Sequence, residues 1–130
     1  MRVLVVADDA AVRANLPLLL AAVGDLDVHF AANGSDLARV ARERRSDVVI
    51  IDIDALGRLR LEALRALRTV LPGIVIIALT LRVYPEYREA CLARGVDFFL
   101  DRAGEFEKTA EILRFLKRHL AAALPRQTNS

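Results

Sequence analysis

Short runs built almost wholly of Val, Ile, Leu and Ala punctuate the chain at Val3 to Ala7, Val48 to Ile51 and Ile74 to Leu79. Continuous apolar runs of this length, rich in β-branched residues, are what parallel strands covered on both faces require. Between them, apolar positions return at helical spacing: Val12, Leu16, Leu19, Leu20 and Val23, then Leu37, Val40 and Ala41, then Leu61, Leu64, Leu67 and Leu71. Two weaker strands, Leu26 to Ala32 and Val96 to Leu100, extend the series. A final amphipathic segment carries Phe106, Ala110, Leu113, Leu116 and Leu120.

Turn and cap residues fall at the joints. Gly24 follows the first helix, Asn33-Gly34-Ser35-Asp36 offers a turn and a cap, Pro72-Gly73 closes the third helix, and Pro85 and Gly95 bracket the fourth. Right-handed crossovers joining five strand–helix pairs give a doubly wound α/β fold, a parallel sheet for which 2-1-3-4-5 is one of the common orders. Pro17 conflicts locally with its helix and predicts a kink there or a start nearer Asn15. The pattern assigns residues 1–122 to one domain and 123–130 to a short polar tail.

Composition narrows the function classes. Nineteen Lys and Arg against 17 Asp and Glu leave a net charge of +2 over 130 residues, too little field to hold a polyanion, so nucleic acid is not an expected partner. A lone cysteine, Cys91, with no Cys/His cluster beside it, supports neither a disulfide nor a zinc site and fits a reducing cytoplasm. No apolar run approaches the roughly 18 residues of a membrane span, and the start of the chain lacks a signal-peptide core, so no membrane partner is expected.

In this architecture ligands gather beyond the carboxyl ends of the strands, where the strand order reverses. Asp8 and Asp9 follow the first run, Asp52 and Asp54 the third, Thr80 ends the fourth, and Arg102 follows the fifth. Neighbouring strands lie about 4.8 Å apart, so the carboxylates of Asp8, Asp9 and Asp52 are expected to converge. Clustered anions need either a retained proton or a hard cation, and Mg²⁺ suits a carboxylate set. A hydroxyl and a cation beside a metal-bound carboxylate are what an acyl phosphate needs, because phosphoryl transfer rests on positioning and charge neutralisation. Asp52 is the expected nucleophile.

Those residues and the runs around them resemble the receiver domains of two-component response regulators, including the single-domain chemotaxis regulator, over essentially the whole chain. Val3 to Asp9 is similar to the family's opening strand and acidic cluster. Asp47 to Ile53 resembles its phosphoacceptor strand, Ile76 to Thr80 its hydroxyl strand, and Gly95 to Arg102 its fifth strand. The resemblance implies a flavodoxin-like (βα)5 fold and a phosphoryl group accepted on Asp52 from a sensor histidine kinase or phosphotransfer protein. It implies Mg²⁺ held by Asp8, Asp52 and the backbone carbonyl of Asp54, with Asp9 at the rim. It further implies that Thr80 swings toward the phosphoryl oxygen and Phe99 turns inward behind it. The coupled surface would be the fourth helix, fifth strand and fifth helix, which would serve a downstream protein target or a homodimer. The implied role is a stand-alone signalling switch, not an enzyme.

The chain departs from the family pattern at informative places. Aligned without gaps, the family's first acid falls on Ala7, and a one-residue shift would restore the acid pair as Asp8-Asp9; its small residue after the hydroxyl falls on Leu81, its lysine on Arg102 and the following proline on Ala103, while Ala55-Leu56 stands for its methionine-proline. A planar guanidinium cannot place its donors as a compact ammonium does. These changes favour a second reading, an atypical receiver that binds partners or dimerises without phosphorylation. A third reading, a haloacid-dehalogenase-like phosphatase using Asp52 and Asp54, lacks the glycine-threonine that would follow Asp54. Asp54 and Arg82 flank the site with opposite charges and are read as a candidate pair across its mouth. Elsewhere the arginines at 39, 42, 44, 45, 58, 60, 65 and 68 are read as solvent faces of amphipathic helices, Cys91 as a small core residue, and Tyr84 and Tyr87 as candidates for an exposed output face. His29 and His119 are isolated.

Overall fold

The computed structural model describes residues 1–31 and 33–128, and for 121–128 the backbone only. Strands β1 (Arg2–Val6), β2 (Asp27–Ala31), β3 (Val48–Asp52), β4 (Val75–Thr80) and β5 (Phe98–Asp101) alternate with helices α1 (Ala10–Val23), α2 (Leu37–Glu43), α3 (Arg60–Val70), α4 (Pro85–Ala93) and α5 (Lys108–Thr128). All pairings are parallel and the order is β2-β1-β3-β4-β5, as the apolar runs and crossover rule anticipate. Ala32, the last residue of the expected second strand, lies outside the described residues.

Alternate residues of each central strand face opposite sides of the sheet, which divides the core in two. Leu4, Val6, Val49, Ile51, Ile76, Ala78 and Phe99 pack with α2, α3 and α4. Val3, Val5, Val48, Ile50, Ile77, Leu79 and Leu100 pack with α1 and α5. Each fully buried aliphatic side chain contributes about 1.5–3 kcal/mol, and β3, covered on both faces, is buried from end to end. That burial fixes the register that carries Asp52 to the strand's carboxyl end.

Three local features differ from the expected pattern. Helix α1 begins at Ala10 and runs unbroken through Pro17, because Asp9 caps it: its carboxylate accepts from the amides of Ala11 at 3.0 Å and Val12 at 3.1 Å. A strong cap and the apolar face of Val12, Leu16 and Leu20 outweigh the proline's missing donor. Between β3 and α3 lies a 3-10 segment, Ile53–Leu59, kinked at Gly57, where φ is +71°. At the far end the α5 backbone stays helical through Thr128, so helix crosses residue 122 into the expected polar tail; residues 129 and 130 lie outside the described residues. Among the described residues, no helix is long and apolar enough to cross a membrane.

The arginines do not all point to solvent. Arg68 donates to the carbonyls of Pro72 (2.8 Å), Ile74 (2.6 Å) and Gly95 (2.6 Å) and to the Asp97 carboxylate (2.7 Å), which also accepts from the Ile76 amide. One guanidinium thereby ties the end of α3 to the start of β4 and to the α4–β5 turn. Gly95 is required there: its φ is +102°, and a Cβ would meet the Arg68 side chain at 2.7 Å. Arg68→Ala is expected to lower stability by about 2–3 kcal/mol in chemical denaturation, with Arg68→Lys recovering only part, since several carbonyls lose a fork-shaped donor.

Candidate functional site

The carboxyl ends of β1, β3, β4 and β5 meet at one edge of the sheet. Asp52, the last residue of β3, is 2% exposed. Its partner across that edge is Arg102, just past β5, whose Nη1 donates to Asp52 Oδ2 at 2.7 Å. Arg102 Nη2 lies 3.6 Å from Asp9 Oδ2. The guanidinium fork therefore spans two carboxylates that arrive on different strands. Asp52 Oδ1 is buried and has no hydrogen-bond partner.

The loop after β5 fixes Arg102. Its backbone N–H donates to the Thr80 carbonyl at 2.9 Å, continuing the β4–β5 ladder. Asp101 and Glu105 clasp the turn: the Asp101 N–H donates to the Glu105 carboxylate at 3.0 Å, the Glu105 N–H to the Asp101 carbonyl at 2.7 Å, and the Ala103 N–H to the Asp101 carboxylate at 2.9 Å. Sequence reading passed over this clasp. Its only trace is the acid pair four residues apart straddling the basic residue.

A second polar group forms at the mouth. The Thr80 hydroxyl, fully buried, donates to Asp54 Oδ1 at 2.9 Å and accepts from the Arg82 N–H at 2.9 Å. Asp54 Oδ2 accepts from the Leu81 N–H at 3.2 Å, and Arg82 Nε stands 3.6 Å from Asp54 Oδ1. The pairing of Asp54 with Arg82 anticipated from their charges is present. In this arrangement the Thr80 hydroxyl serves Asp54 and is not aimed at Asp52.

The expected metal set is not assembled. Asp8 is exposed, with no hydrogen bond or ion pair among the described residues. Asp9 spends Oδ1 on the helix cap, Asp54 is engaged with Thr80, Leu81 and Arg82, and Asp52 with Arg102. Among the described residues, no three His, Cys, Asp or Glu side chains are grouped to hold a metal ion. Receiver domains generally bind Mg²⁺ at their acidic site. The residues here do not fit that ion: a tethered cation already bridges two of the four acids, and a third faces solvent.

Behind the site, Phe99 is buried against Tyr87 in an edge-on contact, ring centroids 6.2 Å apart. Phe99 thus belongs to the core cluster on this side of the sheet. Tyr87 is buried as well, and its hydroxyl accepts from Arg60 Nε at 2.6 Å, so of the two tyrosines only Tyr84 faces solvent. Cys91 lies in the same cluster, where burial pushes its thiol pKa up.

Burial also pushes the Asp52 carboxyl above its ordinary value, opposed by the charge and hydrogen bond of Arg102 and aided by the nearby Asp54 charge. A raised native pKa means that the folded chain binds more protons than the unfolded chain between the two values. The contribution of this group is therefore greatest at low pH and is lost as pH rises through the native pKa. The thermal midpoint of Asp52→Asn relative to the native chain is expected to rise as pH goes from acid to neutral, as read by calorimetry across pH; a difference independent of pH would remove the shift.

A family model for the response regulator receiver domain matches residues 3–114. A probable transcriptional regulatory protein, TcrX of Mycobacterium tuberculosis, is 30% identical over 113 residues, 87% of this chain and 48% of that protein; the chain spans about half the length of the curated relatives it matches. Among solved structures, the chemotaxis protein CheY4 of Vibrio cholerae aligns with a TM-score of 0.71 at 27% identity, covering 90% of this chain and 96% of that one. The signal receiver domain of a DNA-binding response regulator from Colwellia psychrerythraea aligns with a TM-score of 0.80 at 17% identity, covering 91% and 98%, a likeness of fold. With its parallel five-stranded sheet and its buried aspartate at the end of β3, the chain belongs to the response regulator receiver domain family, a family of signalling domains.

Proposed function

We propose that Asp52 accepts a phosphoryl group from a phosphohistidine on a sensor histidine kinase or phosphotransfer protein, and that the change is read by a protein partner at the surface formed by α4, β5 and α5. The observation that carries this reading is the split environment of one carboxylate: Oδ2 held by Arg102, Oδ1 buried without a partner. An oxygen with unused lone pairs beside a fixed cation is a competent nucleophile for an anionic donor. In the transfer, Oδ1 forms a bond to phosphorus while the phosphorus–nitrogen bond breaks, and the imidazole nitrogen leaves with the electron pair. Arg102 then offsets the added charge, and the Thr80 hydroxyl can exchange Asp54 for a phosphoryl oxygen. The chain acts as a stoichiometric acceptor without turnover.

The nearly complete enclosure of Asp52, with a side chain 1% exposed and latched by Arg102, favours a second reading. In it the same module works by protein contact or self-association through α4, β5 and α5 without phosphorylation. One experiment separates them. Incubation with a small phosphodonor, with and without MgCl₂, followed by intact mass, should add a single phosphoryl group to the native chain in both conditions and none to Asp52→Asn. No addition to the native chain overturns the phosphoacceptor reading and leaves the second.

If Arg82 and Asp54 close the mouth, they shield the acyl phosphate from water. Arg82→Ala is then expected to shorten its lifetime about two- to fivefold, the range an exposed ion pair supports. An unchanged decay of the phosphorylated mass would remove that role.

A further inference from the structure

The strand ends of this chain hold a cation of their own. We propose that the Arg102 guanidinium occupies the cation position between Asp9 and Asp52 as a tethered counterion, so that the native protein excludes divalent metal from this edge of the sheet. The inference concerns the same site as the phosphoacceptor reading but does not depend on phosphoryl transfer.

The geometry supplies the argument. Arg102 sends one nitrogen to each of two carboxylates, 2.7 Å to Asp52 Oδ2 and 3.6 Å to Asp9 Oδ2. Mg²⁺ demands near-octahedral oxygen ligands at about 2.0–2.1 Å and is bound through one or two carboxylates. Of the four acids at this edge, Arg102 is on Asp52 and Asp9, Asp54 is engaged by Thr80, Leu81 and Arg82, and Asp8 faces solvent. The backbone that carries the guanidinium is held as well: the Arg102 N–H is in the β4–β5 ladder and the Asp101–Glu105 clasp fixes the turn. Asp9 is immobilised by its bonds to the first turn of α1, so it cannot follow a metal without uncapping the helix. Position 7, at the end of β1 beside Asp8, carries the apolar side chain of Ala7, which is buried and offers no ligand.

The unpartnered Asp52 Oδ1 shows what removal of the guanidinium would expose. It is buried, polar and unused, and with Oδ2 released the whole carboxylate becomes available beside Asp9. A lysine at position 102 would carry the same charge on a compact ammonium, unable to span both acids as the planar fork does, and would free one of them.

The test uses the full chain and MgCl₂ alone, with no phosphodonor. Backbone amide resonances of Asp9, Asp52 and Arg102 are followed in nitrogen-edited NMR spectra as MgCl₂ rises through the millimolar range. The native chain is expected to show no saturable shift, whereas Arg102→Ala and Arg102→Lys are expected to show saturable shifts centred on Asp9 and Asp52. Arg102→Lys, which keeps the charge, serves if Arg102→Ala does not fold. A saturable shift at those residues in the native chain overturns the proposal. So does the absence of one in every folded variant, since the position would then not be a cation site. Failure of the phosphodonor experiment leaves these readouts untouched, so the two readings fail separately.

Discussion

A carboxylate buried at the end of a central strand has to be neutralised, and most of this molecule's functional edge is organised around how Asp52 meets that requirement. β3 is covered on both faces by apolar side chains, so the sheet delivers Asp52 into a site from which water is largely removed. There an unpaired charge would cost several kcal/mol. Arg102 supplies the counter-charge from β5 and, by spanning Asp9 as well, ties three strand ends and the start of α1 into one electrostatic unit. Everything else at the edge is arranged around that fork: Asp54, Thr80 and Arg82 form a separate group at the mouth, and Asp8 is left to solvent.

The scaffold that makes this possible was legible in the chain. The Val- and Ile-rich runs place the strands to within a residue or two, the crossover rule orders them, and the positions just past each run identify Asp52, Thr80 and Arg102 as neighbours. These are backbone consequences, set by burial and register. Side-chain direction is a different matter. Nothing in the spacing says that Asp8 turns outward while Asp9 turns to cap α1, because that choice depends on whether the first turn of the helix claims the carboxylate. The helix start at Ala10 follows from the same cap and could not be placed while Pro17 was weighed by propensity alone. Arg68 was hidden for a related reason: in sequence it is one of many arginines on an amphipathic helix, and only the α4–β5 turn, closing against it at Gly95, makes it a structural tie.

The second half of the sheet shows how packing links the site to the helices that face a partner. The 3-10 segment that follows Asp52 leads into Arg60, whose guanidinium holds the Tyr87 hydroxyl and lies over its ring, 5.2 Å from the centroid. Tyr87 in turn packs on Phe99. The chain of contacts runs from β3 through α3 and α4 to β5 without a gap, and its aromatic members are already packed inward.

The cap at the start of α1 has one more consequence. The Asp9 oxygen that satisfies the Ala11 and Val12 amides belongs to the same carboxylate that leans toward Arg102, so the winding of the first helical turn and the charge balance at the strand ends share a single side chain. Any ion drawing that carboxylate away would strip two amides of their acceptor. The fraying of one helix end thereby becomes a readout of what occupies the pocket, with no rearrangement of the sheet required.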